Sequence, residues 1–182
     1  MSAVGRKAKT KELGLENINL KVSENGSLIV NDFFQTSEDN IYAIGDVIDR
    51  VQLTPVAINE AIILVDNILN KKNSIFTYKN IPTAVFSNPN MATIGLSEEE
   101  ARANYRNIDV YVSEFKSLKL SLSNSEERTF IKMIVDSTTD RVLGLHYIGS
   151  EAAEIIQGFS VAIVKGLSKK DFDNTIGIHP SS

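Results

Sequence analysis

The 182-residue sequence has no cysteine, no tryptophan and only two histidines, His146 and His179. Without cysteine, structural disulfides, thiolate metal sites and any redox dithiol within these residues are excluded. Two histidines alone are too few for the ligand sets that zinc-type sites need, so no metal is expected. No apolar run reaches the roughly 18 residues of a membrane-spanning helix. Nor does a leader of charged, apolar and small-residue segments open the chain, so a soluble cytoplasmic protein is the expectation. Basic blocks are missing too. Nineteen Lys and Arg stand against 23 Asp and Glu, a net charge of −4, which argues against general nucleic-acid binding. The dinucleotide fingerprint G-x-G-x-x-G is also absent, so neither half of a nucleotide domain is complete in these residues.

What is present belongs to a folded protein: 42% of residues are hydrophobic, and the length allows one large core or two small ones. Residues Met1 to about Thr10 read as a strand end and a loop. Ile18, Leu20 and Val22 then alternate, Asn25-Gly26 offers a tight turn, and Leu28-Ile29-Val30 returns, which predicts a hairpin. A short strand, Ile41–Ile44, ends in Gly45-Asp46. Thr54 fits a helix N-cap and Pro55 the first helical position; the helix runs to about Leu69 and is apolar enough to be largely buried. Asn70-Lys71-Lys72-Asn73-Ser74 ends it and marks a domain boundary near residue 80, dividing 1–80 from 81–182.

Beyond that boundary, strands are predicted at Thr83–Phe86, Met91–Leu96, Val110–Phe115, Phe130–Val135 and Val142–Ile148. The last two are joined by the polar turn Asp136–Arg141. Ser97 followed by three glutamates opens a helix with a cap and an acidic first turn. An apolar helix from about Ser150 to Lys165 closes at Gly166, and a short helix follows from Ser168 to Asn174. The order predicts an α+β fold, an antiparallel sheet with helices on one face.

Two places offer chemistry. At Gly45-Asp46 a carboxylate stands at a strand end just before a helix, where it can accept hydroxyl groups while the helix N-terminus faces an electron-rich edge. Gly-Asp after an apolar run is also ordinary turn chemistry. His179 can give or take a proton near neutral pH, although a lone histidine near a terminus is ordinarily a surface residue. His146, on an apolar strand, reads as a core or interface histidine with its ring satisfied.

Taken together, Asn40–Asp46, Leu53-Thr54-Pro55 and the run Asp171 to Pro180 ending in Ile178-His179-Pro180 resemble the FAD-dependent pyridine nucleotide-disulfide oxidoreductases. Within that family the likeness is closest to the glutathione reductases. It implies a homodimer that uses NADPH and FAD to reduce glutathione disulfide, with residues 1–80 closing the NADPH and FAD domains and 81–182 forming the dimerisation domain. It also implies that the chain is the C-terminal part of such an enzyme and is inactive alone. By the resemblance Gly45, Asp46, Leu53, Thr54 and Pro180 contact FAD, and His179 is the catalytic acid that protonates the departing thiolate. Lys116 and Leu118, in Phe115-Lys116-Ser117-Leu118, align with a run that lines the disulfide substrate site; by themselves they read as a strand end with a solvated lysine. Glu154 and Gln157 are placed at a subunit interface. There are departures. Ala8 and Lys9 replace the Pro and Asn that follow Gly-Arg in relatives, and Ala61-Ile62 replaces Gly-Arg or Gly-Ala after Asn59-Glu60. The family's glutamate that orients the histidine falls past Ser182. A trypanothione- or dihydrolipoamide-type reductase and a non-catalytic dimerisation module are the alternatives.

Overall fold

A computed structural model describes residues 4–181, and the chain divides between Tyr78 and Lys79 into two compact units. The strand end expected at the N-terminus falls partly on Met1–Ala3, outside the described residues; from Val4 to Thr10 the chain has no regular element.

The first unit is built mostly from turns around one helix, α1 (Thr54–Asn70). Leu28, Phe34, Ala43 and Ile48 form its buried core, and Leu15, Leu20, Ile63, Leu64 and Phe76 pack on them. The expected hairpin reduces to a single bridge, Val22 with Leu28, and the expected strand Ile41–Ile44 to another, Gln35 with Tyr42. Asn25-Gly26 does turn the chain, with Gly26 at φ 89° and Ser23 N–H donating to Ser27 O at 2.9 Å. Ile29 N–H donates to Lys21 O at 3.1 Å on the far side of the Val22–Leu28 bridge, and the Leu28 amide, facing away from the hairpin, donates to Val47 O at 2.9 Å. Ile41–Ile44 is likewise no strand. Thr36 N–H donates to Ile41 O at 2.9 Å and Ala43 N–H to Phe34 O at 3.0 Å around the Gln35–Tyr42 bridge. The pairing stops there because the preceding residues coil on the Asn31 side chain, which accepts from the Phe33 and Gln35 amides.

The α1 helix is less buried than its composition predicts. Only Val56 and Glu60 are fully covered, while Ile58, Ile62, Val65 and Leu69 recur at helical spacing along an exposed apolar face. Thr54 is the first helical residue and not the cap: Leu53 holds that position with extended backbone and no side-chain bond.

The second unit is a five-stranded antiparallel sheet in the order β1-β2-β5-β4-β3. Its strands are β1 (Thr83–Val85), β2 (Met91–Gly95), β3 (Ile108–Phe115), β4 (Thr129–Asp136) and β5 (Val142–Ile148). The β4–β5 turn is fixed by Asp136, whose carboxylate accepts from Thr139 Oγ1 at 2.6 Å and the Thr138 amide at 3.1 Å. Helix α3 (Ala152–Lys165) lays Ala152, Ile156 and Ile163 on Ala92, Ile94, Val142, Leu145 and Tyr147. Short α2 (Glu98–Asn104) closes a separate cluster through Ala101, against Ile134 and Leu143. Ser97 caps it over an acidic first turn, as the sequence predicts, and with Glu100 completes a reciprocal capping box. Gly166 ends α3 at φ 70°, and α4 (Lys169–Asp173) follows with a second capping box, Ser168 with Asp171.

Candidate functional site

Gly45 opens a tight turn, Gly45–Ile48, that packs against the first turns of α1. Its φ of +72° lies where a side chain is strained, and an added Cβ would sit 3.2 Å from Ala57 Cβ. The turn buries Gly45 and Ile48 and leaves Asp46 exposed. Beside it, Leu53 O accepts from the Val56 and Ala57 amides at 3.0 and 3.1 Å. Pro55 has no N–H, so the Thr54 amide is left as the donor at the helix's positive end. Gly45, Asp46, Leu53 and Thr54 are thus gathered at one end of α1.

The turn is held by a residue that sequence reasoning passed over. Glu60 is only 1% exposed, and its Oε2 accepts from the Gly45 amide at 2.6 Å. Its Oε1 accepts from Tyr78 Oη, also at 2.6 Å. Arg50 donates to Tyr78 Oη at 3.3 Å and to the carbonyls of Val30 and Asn31 at 3.2 and 3.0 Å. Its guanidinium also lies over the Tyr78 and Phe34 rings. Burial raises the Tyr78 phenol above its usual range, and the bond to Glu60 adds to the effect. The signal for Glu60 was legible: it stands four residues after Val56 and four before Leu64, on the buried stripe of α1.

The remaining candidates lie in the second unit. Lys116 is exposed just past β3 and donates to Ser123 O at 3.2 Å, while Leu118 is half-exposed in the same loop. Neighbouring Ser117 is buried, with its hydroxyl 3.2 Å from Thr129 Oγ1. His179 and Pro180 stand on an exposed tail after α4, joined by a cis peptide bond. Among the described residues no hydrogen bond joins His179 or Pro180 to Lys116 or Leu118. Glu154 and Gln157 are exposed on α3, next to Phe159, Val161 and Val164.

His146 is held from both sides. Its Nε2 lies 3.1 Å from Leu96 O and its Nδ1 2.5 Å from Thr93 Oγ1. A carbonyl only accepts, so Nε2 carries the proton and Nδ1 accepts from the threonine hydroxyl. Burial holds the ring below the usual histidine range, and Lys132 reinforces this, so it is a neutral structural group.

Residues 81–182 match the family described as pyridine nucleotide-disulphide oxidoreductase, dimerisation domain, and residues 1–61 match pyridine nucleotide-disulphide oxidoreductase. The chain belongs to the pyridine nucleotide-disulphide oxidoreductase family. It is 47% identical to the chloroplastic/mitochondrial glutathione reductase of Pisum sativum over its whole length, which spans 33% of that relative. It is 43% identical to a glutathione reductase of Burkholderia cepacia and 39% identical to a trypanothione reductase of Trypanosoma congolense. Both alignments use the entire chain and reach 40% and 37% of those relatives. The HOCl-induced flavoprotein disulfide reductase RclA of Escherichia coli superposes with a TM-score of 0.87 at 30% identity, over 98% of this chain and 41% of that one. The chain therefore spans about a third to two fifths of the length of these relatives. In this family setting the fold is α+β, with a sheet-forming dimerisation domain preceded by a segment of the nucleotide-binding part.

Proposed function

We propose that the protein carrying this chain is a glutathione-disulfide reductase that uses NADPH and FAD. Residues 1–80 would end its NADPH and FAD domains, and 81–182 would form the surface that makes it a homodimer. The observation that carries this reading is the pairing of the Gly45-Asp46 turn with the Leu53-Thr54-Pro55 helix start, within a chain 43–47% identical to glutathione reductases throughout.

The chemistry at the α1 end suits a flavin. Exposed Asp46 offers acceptors for hydroxyl groups of a ribityl chain, and the Thr54 amide and helix end offer a positive edge. A charge near a helix end is stabilised by about 0.3–1 kcal/mol when exposed and up to about 2 kcal/mol when partly buried. That is enough to tune a bound ring and too little to drive the reaction. FAD, when bound, would supply the two-electron relay between NADPH and the disulfide. Gly45 keeps the turn close to α1, and Leu53 and Pro180 would pack on the cofactor. Lys116 and Leu118 would line the path of the glutathione moieties, and His179 would protonate the departing thiolate in the active site of the neighbouring subunit. Among the described residues no helix is long and apolar enough to cross a membrane, and the proposed compartment is the cytoplasm.

The test separates proton delivery from flavin binding. In the full-length enzyme His179→Ala should lower turnover with glutathione disulfide by about 10²–10⁴-fold, the usual worth of general acid catalysis. Reduction of the enzyme by NADPH should stay nearly normal, because no glutathione is yet involved. Equal slowing of both steps would make the histidine structural.

A further inference from the structure

We propose that Glu60 is a positioning residue: it clamps the Gly45-Asp46 turn to α1, so that one helix sets the distance between Asp46 and its own Thr54 end. The proposal rests on the flavin reading above and assigns the geometry of that site to a side chain that touches no cofactor.

A carboxylate as buried as Glu60 is unfavourable unless its oxygens are hydrogen-bonded. Both are, by the Gly45 amide and the Tyr78 hydroxyl at 2.6 Å each. Hydrogen bonds this short are among the stronger kind. The first grips the peptide immediately before Asp46. Gly45 is further confined by its left-handed φ and by Ala57, whose Cβ would lie only 3.2 Å from an added Cβ.

Glu60 stands six residues after Thr54, so the clamp and the helix end are joined by rigid helix about 9 Å long, at about 1.5 Å per residue. Movement of the turn relative to the Thr54 amide therefore requires breaking the Glu60 bond. Tyr78 fixes the other carboxylate oxygen, and Arg50 ties Tyr78 to the Val30 and Asn31 carbonyls. The Glu60 rotamer is thus held from outside the helix. Asp46 itself stays exposed and free to receive a ligand.

A purely structural Glu60 and a positioning Glu60 differ in their coupling to Asp46. The experiment is a double-mutant cycle on the full-length enzyme stripped of FAD, with the FAD dissociation constant read by flavin fluorescence and apoprotein melting followed in parallel. Asp46→Ala and Glu60→Ala should each weaken FAD by about tenfold or more, the scale of a lost hydrogen bond to a charged group. With Asp46 already removed, Glu60→Ala should add less than about twofold, because a clamp has nothing left to position. Glu60→Gln, which keeps an acceptor for the Gly45 amide, should recover most of the affinity. Additive losses, or an unchanged dissociation constant in Glu60→Ala alone, would overturn the proposal and leave the flavin reading standing. An Asp46→Ala enzyme that binds FAD normally would instead overturn the flavin reading, and the clamp with it. If Glu60→Ala does not fold, Tyr78→Phe takes its place in the cycle: a loss of about threefold that vanishes in the Asp46→Ala background supports the clamp, and an additive or absent loss overturns it.

Discussion

Gly144→Ala is the sharpest test of how the sheet is assembled. Gly144 on β5 is paired with Gly95 on β2, and there the two strands approach closely. A Cβ at position 144 would fall 2.1 Å from Leu96 O and 3.1 Å from Leu96 N, whereas real Cβ contacts essentially never go under 3.0 Å. The obstacle is backbone on both sides, so no rotamer relieves it and the strands must part by about an ångström. Two bonds lie in the path of that movement. Leu96 N–H donates to Leu143 O at 2.9 Å, and Leu96 O accepts from His146 Nε2 at 3.1 Å. Each bond is worth about 0.5–1.5 kcal/mol net, and a buried partner left unsatisfied costs about 1–3 kcal/mol. The expected loss is therefore about 2–6 kcal/mol, a large share of the 5–15 kcal/mol of a typical domain. Urea unfolding followed by far-UV circular dichroism measures it, and amide exchange at Leu96 and Leu145 localises it. A loss below about 1 kcal/mol, with both amides still protected, would refute the reasoning.

Three further outcomes are expected. Because burial keeps His146 neutral in the fold, the unfolded chain takes up a proton that the native chain does not; stability should be full above the ordinary histidine pKa of 6.5 and fall as pH drops below it. Denaturant titrations between about pH 7 and pH 5 check this, above the range where Glu98 and Glu100 protonate, and His146→Asn should flatten the slope. The chain should self-associate through α3, whose Phe159, Val161 and Val164 are 43%, 68% and 56% exposed, and Val161→Glu should weaken association by tenfold or more in sedimentation, on the scale of about 1.5–3 kcal/mol for one buried aliphatic side chain. A stable monomer of the unaltered chain at micromolar concentration would count against that interface. Finally, the purified 182-residue chain should show no NADPH-dependent disulfide reduction, since it has no thiol to exchange with a substrate; turnover above a blank would contradict this.

Some features of this protein were decided within a few residues, and those were readable in advance. Val142–Ile148 is a strand at the bounds its apolar run predicts, and the Asp136–Arg141 turn is closed by the aspartate's own side chain. Ser97 and Glu100 form a capping box because a helix start asks for just those groups at that spacing. Gly166 ends α3 because glycine alone enters the left-handed region freely. Other features were set by partners far away in the chain. Ile18–Val30 and Ile41–Ile44 have strand-like patterns, yet a ladder needs a continuous partner, and the turn at Ile18–Leu20 and the coil at Asn31 end each pairing after a single bridge. The sequence of α1 shows which residues are hydrophobic and that Glu60 shares a stripe with Val56 and Leu64, but only packing decided that this stripe is the covered one while Ile58 and Ile62 stay exposed. Asp46 and the Leu53-Thr54-Pro55 start stand close in sequence and were found there. The Glu60 clamp could not be, because it joins residues 45, 60 and 78, and a hydrogen bond across such separations exists only once the chain has folded around it.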